Sequence, residues 1–441
     1  MPERLSGRVL PGTADPEALF LALERTSPEV FWLDAGADAT RGWSFVGTGE
    51  RSAFPGGVGL AGAPRTDPSQ PPLRDGWVGW YDYETGARAA GAPVADSADA
   101  PGGAWLRVSR CAAFDHETGR VWVHAPAGEL DAWARLVAQS GSDAAATRAS
   151  TEAPSPIRVV EARHTPAQYE ALIDRCRGFI RAGIAYQLCL TTRFTVEGRH
   201  DPVAVYRRLR AATPAHHGGF VRIGGRALLS ASPEQFLHAE GGVIRTRPIK
   251  GTRPRGRDAV HDAALAAELA ADAKERAENV MIVDLMRNDL SRVCEPGSVR
   301  VDALWAVESY PAVHQLVSTV SGTVAVGTTS GALLEASFPA GSMTGAPKLS
   351  AMTRLHELEG GPRGVYAGCF GFIGDDGSLD LAMVIRSIVI DGERAIVGAG
   401  GGITWRSVAA AEISEVATKA RAPLAALGAE MPAAWASDIL S

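Results

Sequence analysis

Between Tyr169 and Arg181 the apolar residues Leu172, Ile173, Cys176, Phe179 and Ile180 recur at helical spacing and mark one face of a helix. A long helix is expected from about Asp272 to Asp289, a closing helix from about Val408, and another over 128–139. Short runs rich in β-branched and aromatic residues separate them. In the first 125 residues these are "VFWLDAG", "GWSFVGTG" and "GWVGWYDYE". "AYQLCLTTRFTV", "GFVRIGG" and "RALLSASPEQFLHAE" occupy the middle, and "GVYAGCFGFIG", "LDLAMVIRSIVI" and "ERAIVGAGGGI" the end. Most follow one another in hairpin-like pairs. The pattern predicts an α+β chain, with antiparallel sheets flanked by helices.

Loops are expected at 51–76 and 87–104, where small and turn-forming residues accumulate. The stretch 141–157 is small, polar and proline-bearing, and reads as a linker. It separates an N-terminal part, 1–140, from a region at 158–428 where the candidate chemistry gathers, with 429–441 left as a tail.

Composition narrows the classes. No apolar run reaches the roughly 18 residues that a membrane-spanning helix needs. The start, Met-Pro-Glu-Arg-Leu-Ser-Gly-Arg, has no apolar core of a secretory signal. Five scattered cysteines form no C-x-x-C pair, so a disulfide framework or cysteine zinc site is not expected and a reducing, cytoplasmic setting is. A net charge of -6 argues against a general nucleic-acid binder. Of 44 basic residues only Lys250, Lys274, Lys348 and Lys419 are lysines. Chance retention and a role that arginine cannot fill, such as losing a proton to become a nucleophile, both account for them.

Several clusters could carry chemistry. Glu275 and Glu278 lie three apart on one expected helix, and Glu412 and Glu415 three apart on another, so each pair shares a helix face. Facing each other, the pairs could hold a hard divalent cation; separately they are ordinary solvated glutamates. Gly400, Gly401 and Gly402 could form a backbone nest for an anion or a tight structural turn. In "RTRPIKGTRPRGR", Lys250 stands among Arg245, Arg247, Arg253 and Arg255. That run is either a solvated basic face or a setting in which neighbouring positive charge disfavours a protonated lysine. Glu234, after an apolar strand and Pro233, is placed to be a buried carboxylic acid and a proton donor, or to be one more loop glutamate.

Together and in this order, "AYQLCLTTRF", "SASPEQF", "RTRPIKGTRPRG", "KERAENVMIVDLMRNDLSRVCEPGSV", "YPAVHQLVSTVSG", "FPAGSMTGAPKLSAM", "RGVYAGCFGFIG" and "GAGGGI" with its following glutamates resemble the chorismate-utilising enzymes. The resemblance spans roughly residues 160–425. It implies two antiparallel β-sheets packed at the core with helices outside, and a chain whose two parts interleave. It implies magnesium held by Glu278 and Glu415, with Glu275 and Glu412 supporting, and Glu234 as the acid. Tyr366, Arg386, the backbone of Gly400, Gly401 and Gly402, and Lys419 match positions that hold the carboxylates of chorismate. Thr252 and His314 match positions beside its ring. Trp405, Arg406 and Ile413 depart from the family pattern, which bears on local packing more than on the carboxylates.

Two positions discriminate within the family. Members that add water to chorismate carry a lysine just after the glutamine of the "YQ" strand, and here Leu188 stands there. Anthranilate synthases have a small residue in "PIAGT", whereas aminodeoxychorismate synthases have "PIKGT", as here. The resemblance therefore implies the aminodeoxychorismate branch, with Lys250 as covalent nucleophile, and component I of anthranilate synthase as the alternative. Ammonia is the expected nitrogen donor. None of the five cysteines stands on the glycine-flanked turn of a glutaminase, so a separate glutamine amidotransferase subunit (component II) is the expected partner.

Overall fold

In the computed structural model the described residues are 4–62, 65, 67, 69–95, 97, 100, 102–147, 159–310 and 313–436. Every strand pairing among them is antiparallel. One sheet runs, in space, Ser6–Leu10, Val121–Ala125, Ala104–Asp115, Trp43–Ser52, Val30–Asp34, His217–Ile223, Arg226–Ser232, Ser387–Asp391, Arg394–Ile403 and Gln187–Glu197. The other runs Gly76–Tyr81, Cys369–Gly374, Leu379–Met383, Gln235–Glu240, Val243–Thr246 and Val313–Thr323, which is flanked in turn by Ile249–Pro254 and Arg300–Ser309. Ala104–Asp115 belongs to both, pairing with Gly76–Tyr81 near its start and with Val121–Ala125 near its end.

The period of two along each strand builds the layers. Phe31 and Leu33 point between the sheets and meet Phe370, Phe372 and Trp80 there. Their neighbours Val30 and Trp32 point the other way, onto helices that include Pro16–Glu24 and Pro202–Ala212. Cys369 and Ile373 face a third core, on Ala273–Ser291 and Ser330–Ser337. Two sheets back to back with helices outside each is the architecture that the sequence leads one to expect.

The principal helices start where capping chemistry puts them. Thr165 and Gln168 form a capping box for Pro166–Arg181. Asp272 accepts from the backbone N–H groups of Lys274 and Glu275 at 2.9 and 3.1 Å, which begins Ala273–Ser291 and places Glu275 and Glu278 in its first two turns. A helix not expected from the sequence, Ala259–Ala271, precedes it, capped by Asp258 and rich in alanine. The helix expected over 128–139 is Leu130–Thr147, so residues 141–147 of the expected linker are helical, and 148–157 lie outside the described residues. In the expected tail, Trp435 is fully buried against Tyr169 and Phe194, and its indole N–H donates to the His164 carbonyl at 3.0 Å.

Behind Gln187–Glu197 lies a buried ion pair. The Arg363 guanidinium makes two bonds to Glu359, at 2.8 and 2.7 Å, and donates to the carbonyls of Met343 and Cys189 at 2.6 and 2.8 Å. Glu359 in turn accepts from the backbone N–H and the hydroxyl of Thr191, at 2.8 and 2.9 Å. Breaking such a pair strands a buried charge. Arg363→Leu is expected to lower the unfolding free energy by about 3–5 kcal/mol, read from urea titration; a loss under about 1 kcal/mol would mean the pair behaves as an exposed one.

Candidate active site

Strand Gln187–Glu197 sets one wall. Leu188, Leu190 and Phe194 point into the helix-side core, so Gln187 and Cys189 point the opposite way, toward Lys250. Leu188, compared with the lysine of water-adding members, is buried away from the site, and the residue of this strand that faces it is Gln187.

Arg394–Ile403 pairs with this strand along its whole length, Gly400 opposite Thr191, Gly401 opposite Leu190 and Gly402 opposite Cys189. The glycine run is neither a nest nor a turn. Successive N–H groups of an extended strand point to opposite edges and cannot converge on one anion. Pairing with Ser387–Asp391 ends at Val397, which leaves the other edge of the glycine segment without a strand partner. Absence of side chains here admits neighbours: a methyl group on Gly402 would lie 2.2 Å from Gln187 Nε2 and 3.4 Å from Lys250 Nζ.

Lys250 projects from Ile249–Pro254, and its Nζ lies 3.9 Å from Glu278 Oε2. Gly251, at a positive φ of 81°, lets this strand press on Glu275, whose Cγ would be 3.1 Å from a methyl group there. The charges around Lys250 differ from those that the sequence suggests. Arg247 is paired with Glu308, Arg253 with Glu268 and Asp272, and Arg255 with Asp262, so these arginines are neutralised outside the site. Burial works to lower the Lys250 pKa, but Glu278, then Cys189, Glu234 and Glu415, outweigh it and raise it above the ordinary value. The resting amine is an ammonium.

Glu234 occupies the break between Arg226–Ser232 and Gln235–Glu240, nearly buried, with Ser342 donating to Oε1 at 3.2 Å. Burial pushes its pKa up to about 7, against the pull of Lys250, Ser342 and Lys419. It is a carboxylic acid held ready to give a proton near neutral pH.

The two glutamate pairs are near enough to feel each other's charge. Burial raises the pKa of Glu275, Glu278 and Glu412, and Glu412 on one helix adds to the rise of Glu278 on the other. Burial also opposes ionisation of Glu415, but the charge and hydrogen bond of Lys419, 2.7 Å away, bring its pKa below the ordinary value. Lys419 also donates to the Gly400 carbonyl at 2.8 Å. Glu278 Oε1 is buried without a hydrogen-bond partner. Among the described residues no group of three or more His, Cys, Asp or Glu side chains lies close enough together to hold a metal ion. The donor set, hard carboxylate oxygens with one left unbonded, suits a cation such as magnesium, which takes one or two carboxylates and keeps its waters.

Tyr366 and Arg386 stand near Lys419 and Glu415. Arg386 adopts an uncommon positive φ of 52° and is half-buried; burial lowers its pKa, opposed by Tyr366 and Glu415. No side chain among the described residues forms a salt bridge with it, which suits a site for a substrate carboxylate. Thr252 is exposed on its strand. His314 is buried, with Nδ1 2.8 Å from Ser309 Oγ and Nε2 2.9 Å from Asp262 Oδ1. Both of its nitrogens are taken by side chains, so in this conformation it has none to offer a ligand.

A cavity of about 790 Å³ is lined by none of Lys250, Glu234, the paired glutamates, Tyr366 or Arg386. Asp34 lines it, bound by Arg210 Nε at 2.5 Å and the Tyr206 hydroxyl at 3.2 Å, and the stacked rings of His216 and Tyr310 form part of its wall. The lysine and the carboxylate pairs, rather than cavity size, identify the candidate site.

Comparison with known proteins agrees with this chemistry. A family model described as chorismate binding enzyme matches residues 57–425. An aminodeoxychorismate synthase of Streptomyces pristinaespiralis is 43% identical over 375 residues, which cover 82% of this chain and 52% of that protein. This chain thus spans about half the length of that relative. Anthranilate synthase component 1 of Streptomyces coelicolor is 41% identical over 378 residues, covering 82% of this chain and 74% of the relative. Among solved structures, anthranilate synthase component I of Streptococcus pneumoniae superposes with a TM-score of 0.70 at 28% identity, covering 96% of this chain and 92% of the other.

Proposed function

Since the chain belongs to the chorismate binding enzyme family, we propose that it is the synthase component that converts chorismate and ammonia to 4-amino-4-deoxychorismate. The observation that carries this reading is Lys250, partly buried between the acid Glu234 and the facing glutamates, where a branch making anthranilate has a small residue. In the first step Lys250 gives its ammonium proton to solvent, the neutral amine forms a bond to C2 of the ring, the double bonds shift, and the C4–O bond breaks. The Glu234 proton goes to the departing oxygen, which leaves as water. Ammonia then bonds to C4, the double bonds shift back, and the C2–N bond breaks, returning its electron pair to Lys250. The surplus proton on the new amine passes to the Glu234 carboxylate.

Glu278 and Glu415 are the residues to hold magnesium, with Glu275 and Glu412 in support. When bound, magnesium would supply positive charge that offsets these carboxylates around Lys250 and stabilises charge that develops as the leaving group departs. Arg386, Tyr366 and Lys419 orient the dianionic substrate, a proximity effect. Product identification from chorismate, ammonium and magnesium tests the whole reading; anthranilate, recognised by its fluorescence, is the competing outcome.

Glu234 gives a pH signature. A general acid acts while protonated, and burial holds this one protonated up to about pH 7. The reaction needs protonated Glu234 and unprotonated Lys250 together, so at constant free ammonia kcat is expected to rise with pH and to stop rising at about 7, where Glu234 ionises. Glu234→Gln should lose about 10²–10⁴-fold in kcat and lose that break; a break that survives the substitution belongs to another group.

The nitrogen source follows from the cysteines. All five are buried, and burial raises the thiol pKa of each, to about 12 at Cys176 and about 11 at Cys294. None is an exposed thiolate for attacking glutamine. We therefore expect the chain to need an amidotransferase subunit, to use ammonium alone in its absence, and to release no glutamate from glutamine. Glutamine-dependent product from this chain by itself would contradict that.

A further inference from the structure

Gln187 is fully buried, and neither its Oε1 nor its Nε2 has a hydrogen-bond partner in the protein. Nothing about its position is loose. The backbone on either side is pinned, Tyr186 N–H donating to the Ala346 carbonyl at 2.7 Å and Cys189 N–H to the Thr344 carbonyl at 2.8 Å. Strand alternation then turns residue 187 toward the site, because Leu188 is locked in the opposite core. Its amide lies where only glycine at 402 leaves room, beside Lys250 Nζ. A buried amide bonded to nothing destabilises a fold, so its retention points to a partner met during the reaction.

The chemistry of that partner is constrained. Oε1 needs a donor and Nε2 an acceptor. A chorismate dianion is rich in acceptors but has a single hydroxyl donor, whereas Lys250 supplies N–H groups next to the amide. Glu278 is the nearest carboxylate to Lys250, at 3.9 Å, too long for a hydrogen bond. Resting on the reading of Lys250 as nucleophile, we infer that Gln187 is a positioning residue: its Oε1 accepts an N–H of the Lys250 amine and aims the nitrogen at the ring, while Nε2 donates to a substrate oxygen. A neutral amide does this without competing for the nitrogen's electron pair.

The test uses Gln187→Met, which keeps length and approximate volume and removes both hydrogen-bonding groups, on the full chain with magnesium present. Chorismate is added without ammonium, and the Lys250 adduct is followed by rapid quench and mass spectrometry. Adduct formation is expected to slow by about 50-fold or more, a loss that saturating chorismate does not restore. Melting temperature should stay the same or rise, because an unpartnered buried amide has gone. Adduct formation at the wild-type rate, or a melting temperature lowered by several degrees with the rate loss, overturns the inference and makes Gln187 a packing residue. Failure of the underlying reading is separate: then wild type itself shows no adduct and Lys250→Ala keeps making the 4-amino product.

Discussion

Lys250→Ala is expected to cut formation of 4-amino-4-deoxychorismate by at least about 10³-fold, because the first displacement loses its attacking atom. Other chemistry should survive. Glu234 and the facing glutamates remain, so the 4-hydroxyl can still be expelled, and truncation opens space beside C2. Ammonia entering that space gives a 2-amino product or, after loss of pyruvate, anthranilate. Lys250→Arg should be as inactive without opening the alternative route, since guanidinium keeps its proton and fills the gap. Chromatographic product analysis of wild type and both variants, with chorismate, magnesium and ammonium, decides it. An unchanged yield of the 4-amino product from Lys250→Ala would rule out an obligatory covalent lysine.

Glu278→Gln and Glu415→Gln should each lose about 10²-fold or more in kcat/KM while folding normally. Glu278 is the sharper case. Its carboxylate is buried, its pKa is raised by that burial, and Oε1 has no hydrogen-bond partner, so a neutral amide there should not destabilise the protein. Thermal denaturation across a magnesium titration supplies a readout independent of turnover: the wild-type melting temperature should rise with magnesium and those of the variants should not. Full activity of either variant at limiting magnesium would remove the assigned ligands.

What the sequence made legible was local. The i, i+3 spacing of the glutamates, the apolar run before Pro233 and Glu234, and a lysine surviving in an arginine-rich chain all reported chemistry within a few residues. Errors arose where the deciding partner is distant in sequence. The arginines flanking Lys250 look like a positive field until Glu308, Glu268, Asp272 and Asp262, from elements further along the chain, take them up. Gly400 to Gly402 read as a nest or turn because their partner, Gln187–Glu197, lies some 200 residues earlier. Leu188 and Gln187 are hard to tell apart in the sequence because a strand's two faces differ by one residue, and only packing says which face is the core. The pairing of His314 with Asp262 depends on a helix, Ala259–Ala271, whose only sequence signals are an Asp258 cap and a run of alanines.

The sharing of Ala104–Asp115 between the sheets bears on how the protein is made. Gly76–Tyr81, paired with that strand on one edge, finds its other neighbour in Cys369–Gly374, about 290 residues later. At about 5–20 residues per second, a ribosome needs roughly 15–60 s to deliver it. Through that interval the growing chain carries a tryptophan-rich strand with an open edge, the kind of surface that recruits other nascent chains. Val30–Asp34 waits similarly for His217–Ile223. Such long-range pairing makes folding slow for a given stability. Yield in the cell should therefore depend on holding factors during synthesis more than on the stability of the finished protein.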